Sequence, residues 1–389
     1  MSKNPLRVAI VGGGIGGVAA ATAFLQRGME VRLYEQATAL AEVGAGVAIQ
    51  PNGARMLERL GLDHELARCG ARWVDPQFRR QDGSYAAYLW PPELRIEFYG
   101  LHRADLLAMF VGRLPPEVVC TGHRCVAFEQ DEAQATVTFA NGAPAAADVV
   151  IGADGIHSTL RQYVTTASQP VYSGSVAYRG VIPATSVSWA PGAVRNWLGA
   201  GQHFLAYPVR ANELLNYVGF VTSDEPTKES WSARGDPAVL ARAFAGWDPL
   251  VQAIIAEVKS TFRWGLFDRE PLATWTRGRL TLLGDAAHPM LPHAGQGANQ
   301  AIEDAVALAT VLSRADRVSA PRALLIYEAL RRERTARMQR LSRLNGARYE
   351  AAGGDLEVRD RQLDAQARER AWTWDYDAEA EASVAAAPL

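Results

Sequence analysis

Short apolar runs bounded by glycine or polar residues open the chain. Arg7–Val11 and Glu30–Tyr34 each predict a buried strand, and Ile15–Gln26 between them carries apolar residues at helical spacing and stops before Gly28. Because the connections are short, these elements predict a βαβ unit with parallel strands and a right-handed crossover. A further apolar run, Ala147–Ile151, predicts another buried strand.

The periodicity changes along the middle of the chain. Leu101–Leu114 has helical spacing, whereas Val118–Phe139 alternates apolar and polar residues as an antiparallel hairpin does. Ser173–Thr222 is rich in Val, Tyr, Trp and Gly, which favours strands separated by turns. Within it, Phe204–Val209 and Leu214–Val221 flank a short turn and predict a hairpin. The middle of the chain therefore predicts a β-rich unit.

Towards the C-terminus the first pattern returns. Asp236-Pro237 and Asp248-Pro249 each place a capping acid before a proline, so each predicts the start of a helix. Arg279–Leu283 predicts a buried strand, and Gln300–Leu312 predicts a helix. From about Ala378 the chain is rich in Ala and Glu, and we expect this tail to fray.

Composition narrows the class of protein. The chain has 389 residues, of which 48% are hydrophobic and 21% charged, so we expect a globular protein of two packed domains. A net charge of -2 gives no field that would attract nucleic acid. The chain has three cysteines, an odd number, and their spacing is not that of metal ligands. A disulfide framework and a metal site are therefore both disfavoured. Since no signal peptide or membrane-spanning apolar run is present, we expect a cytoplasmic protein that does not enter the membrane.

The glycine-rich segment after the first predicted strand has the spacing G-x-G-x-x-G, formed by Gly12, Gly14 and Gly17. The first glycine permits a tight turn, the second lets a pyrophosphate approach the backbone, and the third packs the helix closely on the strand. Glu35 ends the next strand, where a carboxylate can bind both hydroxyls of an adenosine ribose. The alternative is a turn at the start of a helix, with a solvated Glu35.

A second motif follows the predicted strand Arg279–Leu283. Asp285 stands at its carboxyl end, where ligands of open α/β sheets bind, and a carboxylate suits the hydroxylated ribityl chain of FAD. Pro292–Asn299 then opens a helix with Gly295 and Gly297, so bare backbone and N–H groups can face a flavin ring. The alternative, a glycine-rich loop before a core helix, does not explain the Asp, Pro and Gln residues.

A third motif follows the predicted strand Ala147–Ile151. Asp154 lies between Gly152 and Gly155, and we expect it to help close the cofactor site. An isolated Asp-Gly turn carries little information. Three strand-end motifs in this order on one chain, however, favour a single cofactor site.

Together with His102-Arg103-Ala104-Asp105-Leu106 and Gly284-Asp285-Ala286-Ala287-His288-Pro289, these motifs resemble the single-component flavoprotein aromatic hydroxylases. The resemblance runs from about Leu6 to Tyr349, and the combination of motifs is highly specific for that group. Within the group the chain resembles the salicylate and 6-hydroxynicotinate hydroxylases most. One departure is Ala48, because hydroxynicotinate enzymes place a histidine at that position.

The resemblance implies a tightly bound, extended FAD. Glu35 would bind the adenosine ribose, Arg103 and Asp285 would bind near the ribityl and pyrophosphate groups, and Asp154 belongs to a motif associated with both FAD and the nicotinamide cofactor. The family lacks a separate nicotinamide domain, so NADH or NADPH is expected as a transient co-substrate. The implied cofactor-binding residues are Gly12, Gly14, Gly17, Glu35, Arg103, Asp154, Asp285, Gly295, Gly297 and Ala298.

The expected fold class is therefore α/β, a Rossmann-like FAD-binding domain with an inserted β-sheet substrate domain and a C-terminal helix. We expect residues 1–172 and 276–350 to form the discontinuous FAD-binding domain. Residues 173–275 would form the β-rich substrate domain, and residues 351–389 a C-terminal extension. The expected assembly is a monomer or a homodimer.

The activity that the resemblance implies is hydroxylation of a small, electron-rich aromatic ring with NAD(P)H and O2, through a flavin C4a-hydroperoxide. Since the cofactor carries this chemistry, the protein must position the substrate, exclude water and activate the ring. Pro292 is expected to shape the wall near the flavin C4a atom.

Ring activation needs a base or strong acceptor near the substrate hydroxyl. His203 and Tyr207 lie four residues apart on a predicted strand and so share a face, and the resemblance implies that both line the substrate pocket. A surface histidine is the alternative for His203. His293 is a second candidate base or a structural residue of its own loop. Arg179 can bind a substrate carboxylate or form an ordinary ion pair.

Three other hypotheses stay open on the sequence alone. An NAD-dependent dehydrogenase would use the first glycine motif but leaves Asp154 and Asp285 without a function. A flavin-binding protein without catalysis would show no substrate-stimulated NAD(P)H oxidation. An epoxidase or a plain flavin oxidase would use the same cofactor-binding residues on a different substrate.

Overall fold

A computed structural model describes residues 5–40, 45–90, 94, 96–166, 169–224, 233–351 and 356–389. The strands are β1 (Arg7–Val11), β2 (Glu30–Tyr34), β3 (Gly46–Ile49), β4 (Ala71–Arg72), β5 (Asp75–Arg80), β6 (Tyr85–Tyr88), β7 (Tyr99–His102), β8 (Val119–Cys120), β9 (Cys125–Gln130), β10 (Ala135–Phe139), β11 (Pro144–Ala147), β12 (Val149–Gly152), β13 (Val171–Pro183), β14 (Ala193–Gly199), β15 (Gln202–Val209), β16 (Leu214–Thr222), β17 (Arg234–Gly235), β18 (Thr261–Asp268), β19 (Thr276–Arg277) and β20 (Leu280–Leu282). The helices are α1 (Ile15–Gln26), α2 (Pro51–Arg59), α3 (Asp63–Cys69), α4 (Arg103–Val111), α5 (Pro237–Ala243), α6 (Pro249–Ala256), α7 (Gly297–Leu312), α8 (Ala320–Tyr349), α9 (Leu356–Glu369), α10 (Ala371–Trp374) and α11 (Ala378–Ala385).

The first large sheet carries the Rossmann-like part of the chain. Its strand order is β19-β20-β12-β1-β2-β8, and β1 pairs in parallel with both β2 and β12. The apolar runs that predicted these strands are buried because helices cover the sheet, as is usual for parallel strands. The predicted strand–helix–strand unit at the start of the chain is confirmed, with β1, α1 and β2 at the predicted residues.

The second large sheet has eight strands in the order β17-β18-β13-β16-β15-β14-β5-β6. Strands β15 and β16 form the predicted hairpin, whose turn residues Arg210, Ala211 and Asn212 have positive φ. Strands β5 and β6 join this sheet from a segment that lies far earlier in the sequence, and β5 pairs in parallel with β14. The sheet is therefore assembled from distant parts of the chain.

Side chains alternate between the two faces of this second sheet. On one face, Phe204 of β15 packs with Phe244, which follows α5, and with Val251 of α6 in a hydrophobic core. Both helices begin at the predicted Asp-Pro pairs, where Asp236 and Asp248 each accept a hydrogen bond from a backbone N–H group. The other face of β15 is turned towards the first sheet.

Two predictions made from the sequence are wrong. Leu101–Leu114 was expected to be one helix, but Leu101 and His102 end β7, which pairs with β3, and α4 begins at Arg103. The apolar residues around Leu101 are compatible with the end of a strand as well as with the start of a helix, so the pattern alone did not locate the boundary. The tail after Ala378 forms α11 instead of fraying, because Ala378 and Ala382 are buried against α7 and Asp377 caps the helix.

The long helix α8 and the C-terminal helices complete the described fold. α8 packs against α7 and crosses the loop before it, so that its C-terminal end reaches the second sheet. Helix α11 packs on α7 and, through the ion pair between Arg27 and Glu379, on α1. None of the helices in the described ranges is both long and apolar enough to cross a membrane.

Candidate active site

A deep cavity lies between the two large sheets and contains most of the residues that the sequence singled out. One part, here named the cofactor cradle, is lined by Gly14, Ile15, Gly16, Arg103, Asp285, Gly295, Gly297 and Ala298. The other part, here named the chamber, is lined by Trp73, Trp90, Phe98, Arg179, His203, Leu205, Tyr207, Val218, Phe220, Trp264, Pro292, His293 and Trp374. The two parts are continuous.

The three glycines after β1 have different environments. Gly12 has a φ of +111°, which other residues rarely adopt, and a side chain there would meet the backbone of Ala153. A Cβ on Gly17 would collide with the carbonyl group of Gly12, so this glycine lets α1 pack against the turn. Gly14 has open space where a Cβ would stand, and it lines the cradle. Gly12 and Gly17 thus shape the turn, while Gly14 faces the cavity.

The carboxylate of Glu35 lies over the same glycine turn. One oxygen, Oε2, accepts a hydrogen bond from the backbone N–H of Gly13 at 2.7 Å, and Oε1 accepts one from Ala37 at 2.8 Å. Each carboxylate oxygen has a second lone pair, and the side chain is only half-buried. A ribose hydroxyl can therefore still donate to Glu35.

The loop after β20 forms the opposite wall of the cradle. Asp285 lies in a short turn directly after the strand and lines the cavity. Further on, Gly295 has a φ of +63°, and Gln50 Nε2 donates to the carbonyl oxygens of Ala294 at 2.8 Å and Gly295 at 3.0 Å. α7 begins at Gly297, so its first N–H groups, which have no partner within the helix, lie at the cradle wall.

Asp154 does not line the cavity, although Ala153 and Gly155 on either side of it do. Its Oδ2 atom accepts hydrogen bonds from the backbone N–H groups of Thr159 at 2.7 Å and Leu160 at 3.2 Å. Burial raises the pKa of this carboxyl, against the effect of these hydrogen bonds. The side chain thus organises its own loop, and its neighbours face the cradle.

These residues fit FAD. The N-termini of α1 and α7 carry partial positive charge at the cradle wall, which suits a pyrophosphate and the anionic edge of a reduced flavin. Gly14, Gly295 and Gly297 keep side chains out of the space, and Arg103 adds a positive charge. The carboxylates of Glu35 and Asp285 suit the hydroxyls of ribose and ribityl groups.

One face of the second sheet forms a wall of the chamber. His203, Leu205 and Tyr207 alternate with core residues along β15, and Val218 and Phe220 of β16 lie beside them. Arg179 of β13 lies opposite Val218 of β16. Two residues earlier in β13, Ala177 lies opposite Trp264 of β18. The predicted shared face of His203 and Tyr207 is therefore turned into the chamber.

Arg179 and Tyr207 give one part of the chamber a positive character. Arg179 is only 5% exposed, and its guanidinium carbon lies 5.1 Å from the ring centroid of Trp264. Burial raises the pKa of Tyr207 above its usual range, and the nearby cations Arg179 and Arg103 oppose that rise. Two cations beside one hydroxyl group suit the binding of an anion.

His203 and His293 lie together in a different part of the chamber. Their ring centroids are 5.3 Å apart, and His203 stacks on Phe220 at 4.0 Å. Burial lowers the pKa of His293 to about 3, and burial followed by the proximity of His293 lowers that of His203 as well. Both imidazoles are therefore neutral near pH 7. Four residues of strand separate His203 from Tyr207 by about 13 Å, so the two do not meet at one point.

The C-terminal extension closes the chamber, which sequence reasoning missed. Trp374 lines the cavity, donates a hydrogen bond from Nε1 to Gln50 Oε1 at 3.0 Å, and lies edge-on to Trp90 and Phe98. Arg334 of α8 holds this segment by donating to the carbonyl oxygens of residues 372 and 373. The aromatic residues of this otherwise charged segment were the feature of the sequence that could have indicated that it packs against the chamber.

A buried charge network beneath the cradle was also missed. Arg331 is fully buried and donates to Glu303 Oε2 at 2.5 Å and to Asp304 Oδ1 at 2.7 Å. His288, from the Gly284–Pro289 motif, lies 2.6 Å from the other oxygen of Asp304. These contacts fix α7 against α8 and the strand-end loop. Nothing in the sequence around Glu303, Asp304 and Arg331 indicated that these charged residues are buried.

Comparison with known proteins finds a matching family and relatives that align with most of this chain. The model of a protein family described as an FAD binding domain matches residues 5–342. The 3-amino-4-hydroxybenzoate 2-monooxygenase of Streptomyces platensis is 41% identical, and the alignment covers 95% of both chains. The 6-hydroxynicotinate 3-monooxygenase of Pseudomonas fluorescens is 36% identical, over 89% of this chain and 92% of the relative.

A solved structure agrees with these sequence matches. The substrate complex of a salicylate hydroxylase superimposes with a TM-score of 0.86 at 30% identity and covers 99% of each chain. The expected fold class, a Rossmann-like FAD-binding part combined with a β-sheet part and C-terminal helices, is confirmed.

Proposed function

The chain belongs to the FAD-binding family of flavoprotein aromatic monooxygenases, and from that membership we propose that it hydroxylates a small aromatic acid that carries a ring hydroxyl, with NADH or NADPH as electron donor and O2 as the oxygen source. The observation that carries the substrate class is a buried arginine, Arg179, in an apolar chamber that is continuous with the cofactor cradle. That chamber also holds the two neutral histidines.

The cofactor-binding roles follow from the cradle. Glu35 would hold the adenosine ribose, Arg103 and Asp285 would hold the pyrophosphate and ribityl groups, and the bare backbone at Gly295–Ala298 would leave room for the flavin ring. Bound FAD supplies the electron transfer from NAD(P)H and the activation of O2. The N–H groups at the start of α7 would stabilise negative charge on the bound cofactor.

Arg179 binds the substrate carboxylate. A guanidinium matches a carboxylate with two parallel hydrogen bonds, and such a pair is strong where water is excluded. Tyr207 adds a hydroxyl donor in the same region, since Arg179 and Arg103 both lie near it. The substrates named for the relatives in Streptomyces platensis and Pseudomonas fluorescens are aromatic acids with a ring hydroxyl, which supports this assignment.

The hydroxylated side of the ring faces His203 and His293. Neutral imidazoles can accept the hydroxyl proton, and the resulting oxyanion makes the ring electron-rich enough to take up an oxygen atom. Pro292, which precedes His293 in the same short turn, also lines the chamber.

The chamber excludes water with aromatic side chains. Trp73, Trp90 and Phe98 stack on one another, and Trp374 packs edge-on against two of them. Dry surroundings would be required, because water in the chamber would divert the reducing equivalents of NAD(P)H into peroxide.

The test is NAD(P)H consumption by the FAD-loaded enzyme with salicylate, 3-hydroxybenzoate, 4-hydroxybenzoate, 3-amino-4-hydroxybenzoate and 6-hydroxynicotinate. We expect at least one of them to stimulate consumption, with a product that carries 18O when 18O2 is supplied. Release of peroxide without a labelled product for every acid would contradict hydroxylation.

Arg179→Gln sharpens the same test. It should raise KM for the active acid by about 100-fold, in line with the loss of a buried charged pair. Arg277→Gln, at an exposed arginine of β19, is the matched control and should leave KM unchanged. Equal KM values for all three enzymes would remove Arg179 from the substrate site.

The proposal also includes the oligomeric state, the cellular location and the electron donor. We expect a monomer or a homodimer, which sedimentation of the FAD-loaded enzyme will decide. We also propose a cytoplasmic location, which the three free cysteines support because unpaired thiols suit a reducing compartment. The choice between NADH and NADPH is decided by the ratio of kcat/KM values for the two donors.

A further inference from the structure

Three polar side chains, buried or largely buried, converge at the histidine side of the chamber. The ligand atoms of His203, His293 and Glu350 all lie within 4.8 Å of one another. The Nδ1 atoms of both histidines and Oε1 of Glu350 are buried and have no hydrogen-bond partner among the residues that the structure describes. An unsatisfied buried polar atom costs about 1–3 kcal/mol, so three in one place require a functional explanation.

Glu350 is held firmly in this position. It follows the last residue of α8, its carbonyl oxygen accepts a hydrogen bond from the backbone N–H of Gly201, and its Oε2 atom accepts one from Ser175 Oγ at 2.6 Å. Only Oε1 is left to face the histidines. The carboxylate therefore has one oxygen fixed by the sheet and one directed at the chamber.

The histidines are held by packing. His203 lies flat on Phe220 with an interplanar angle of 11° and meets the edge of Tyr349 at 5.5 Å. His293 fits against Gly346 of α8, where a Cβ would lie 2.6 Å from its Cδ2 atom. A glycine within a helix costs up to about 1 kcal/mol, and here it makes room for an imidazole.

The orientation of His203 separates its two nitrogens. Nδ1 faces Oε1 of Glu350 at 3.5 Å, and Nε2 is on the opposite side of a ring that lines the chamber. A carboxylate beside Nδ1 favours the tautomer with the proton on Nδ1, which leaves Nε2 as a proton acceptor. A distance of 3.5 Å is long for a hydrogen bond, but such contacts are often loose before the substrate binds.

We propose that Glu350, fixed by Ser175, is a positioning residue that makes His203 the base for the substrate hydroxyl. In the step, the O–H bond of the substrate breaks, its electron pair stays on oxygen, and the proton forms an N–H bond at Nε2. The resulting imidazolium lies beside the Glu350 carboxylate, which stabilises its charge. The identity of the proton donor rests on the proposed function, whereas the arrangement of Glu350 and His203 does not.

The other candidate bases are less suited to this step. Burial raises the pKa of Tyr207, and the cations near it favour binding of an anion over acceptance of a proton. His293 shares the low pKa of His203, but within the described residues its imidazole has no carboxylate at ion-pair distance. Glu350 therefore distinguishes His203 from His293.

The first experiment observes the tautomer of His203 directly. In the FAD-loaded enzyme with 15N-labelled histidine, the chain's seven histidines can be assigned by single substitutions. We expect His203 to carry its proton on Nδ1, and Glu350→Gln to shift it towards the Nε2 tautomer. Glu333→Gln, on the exposed surface of the same helix, is the matched control and should change nothing. An Nε2 tautomer in the unaltered enzyme, or no change in Glu350→Gln, would overturn the proposal.

The second experiment follows the proton transfer in turnover. Glu350→Gln should lower kcat by about 100-fold with KM nearly unchanged, as expected when a general base is impaired. The loss should be smaller for a ring-fluorinated analogue of the active acid, whose hydroxyl is more acidic, than for the acid itself, and it should not add to that of His203→Gln. A loss that is equal for both substrates and additive with His203→Gln contradicts the proposal.

The pH profile of kcat gives a third readout. The acidic limb should move in Glu350→Gln, since the substitution changes the charge beside His203. Among the described residues, the other titratable groups that face the pair are His293, Tyr349 and Tyr172. A tautomer shift in an enzyme that hydroxylates none of the acids would disprove the proposed function and leave the positioning role intact.

Discussion

The cofactor cradle and the chamber share one cavity but are built from different parts of the polypeptide. The cradle consists largely of main chain at strand ends and helix starts, with Gly14 and Gly295–Ala298 as bare backbone. The chamber consists of side chains from the face of the second sheet, together with Trp374 from the C-terminal extension. Substitutions should therefore act differently in the two parts: through the backbone in the cradle, and through individual side chains in the chamber.

The largest expected effect is that of Gly17→Ala in the glycine turn. The new Cβ would collide with the carbonyl group of Gly12, and neither backbone segment can move without separating α1 from β1. We expect a loss of about 3 kcal/mol or more in the free energy of unfolding, measured by denaturant titration of the apoprotein. An unfolding midpoint equal to that of the unaltered protein would show that the turn is not tightly packed.

Gly14→Ala, three residues earlier, is the next largest effect and the matched control. Gly14 has a φ of -70° and open space around the added methyl group, so stability should fall by no more than about 1 kcal/mol. The methyl group would, however, occupy the space assigned to the pyrophosphate. We expect the Kd for FAD, measured by flavin fluorescence, to rise by at least about 10-fold. Unchanged affinity would place the pyrophosphate elsewhere.

The same contrast explains what the sequence could predict. The cradle motifs are local, because Gly12, Gly14 and Gly17 act within one turn and each backbone role needs glycine. The chamber is not local. Trp374 lies more than 300 residues from its hydrogen-bond partner Gln50, and no periodic pattern links the two. His203 and Tyr207 could be placed on one face only because both lie on one strand.

Some details needed the three-dimensional structure even within the motifs. Asp154 has the right position in the chain, but its side chain turns into its own loop and caps Thr159 and Leu160. Glu350 stands at the end of α8, and only the tertiary fold brings it to Ser175 and His203. Sequence spacing gives the strand end, but it does not give the direction of a side chain.

Trp374→Ala should act on the chamber alone. The loss of the indole removes the edge-on contacts to Trp90 and Phe98 and admits water, while the cradle stays intact. We expect a normal FAD content but several-fold more peroxide for each NAD(P)H consumed, measured together with the hydroxylated product. Trp374→Phe, which keeps an aromatic wall, should stay close to the unaltered enzyme. Unchanged coupling in Trp374→Ala would show that the extension does not seal the chamber.

The last comparison concerns acid and separates the two parts by pH. Burial lowers the pKa of both chamber histidines, to about 3 for His293. In the unfolded chain a histidine has a pKa of about 6.5, so the unfolded state takes up protons first as the pH falls. Each histidine should then cost up to about 1.4 kcal/mol of stability per pH unit below that value, until its folded pKa is reached.

The charge network beneath the cradle responds at lower pH. Burial alone would raise the pKa of Asp304, but His288 and Arg331 more than offset it and lower the pKa to about 2. Its contribution is therefore complete above about pH 4, the unfolded pKa, and is lost as the pH falls from there towards 2. Between pH 6.5 and 5, the chamber histidines should dominate the loss of stability.

A double variant isolates this contribution. His203→Gln with His293→Gln keeps polar groups of similar size but cannot take up a proton. We expect the stability of its apoprotein to fall less steeply from pH 6.5 to 5 than that of the unaltered apoprotein, as measured by urea unfolding at each pH. His64→Gln, at an exposed histidine of α3, is the control and should leave the slope unchanged. If the double variant has the same slope, then the two imidazoles take up protons as readily in the folded protein as in the unfolded chain, and burial does not keep them neutral between pH 6.5 and 5.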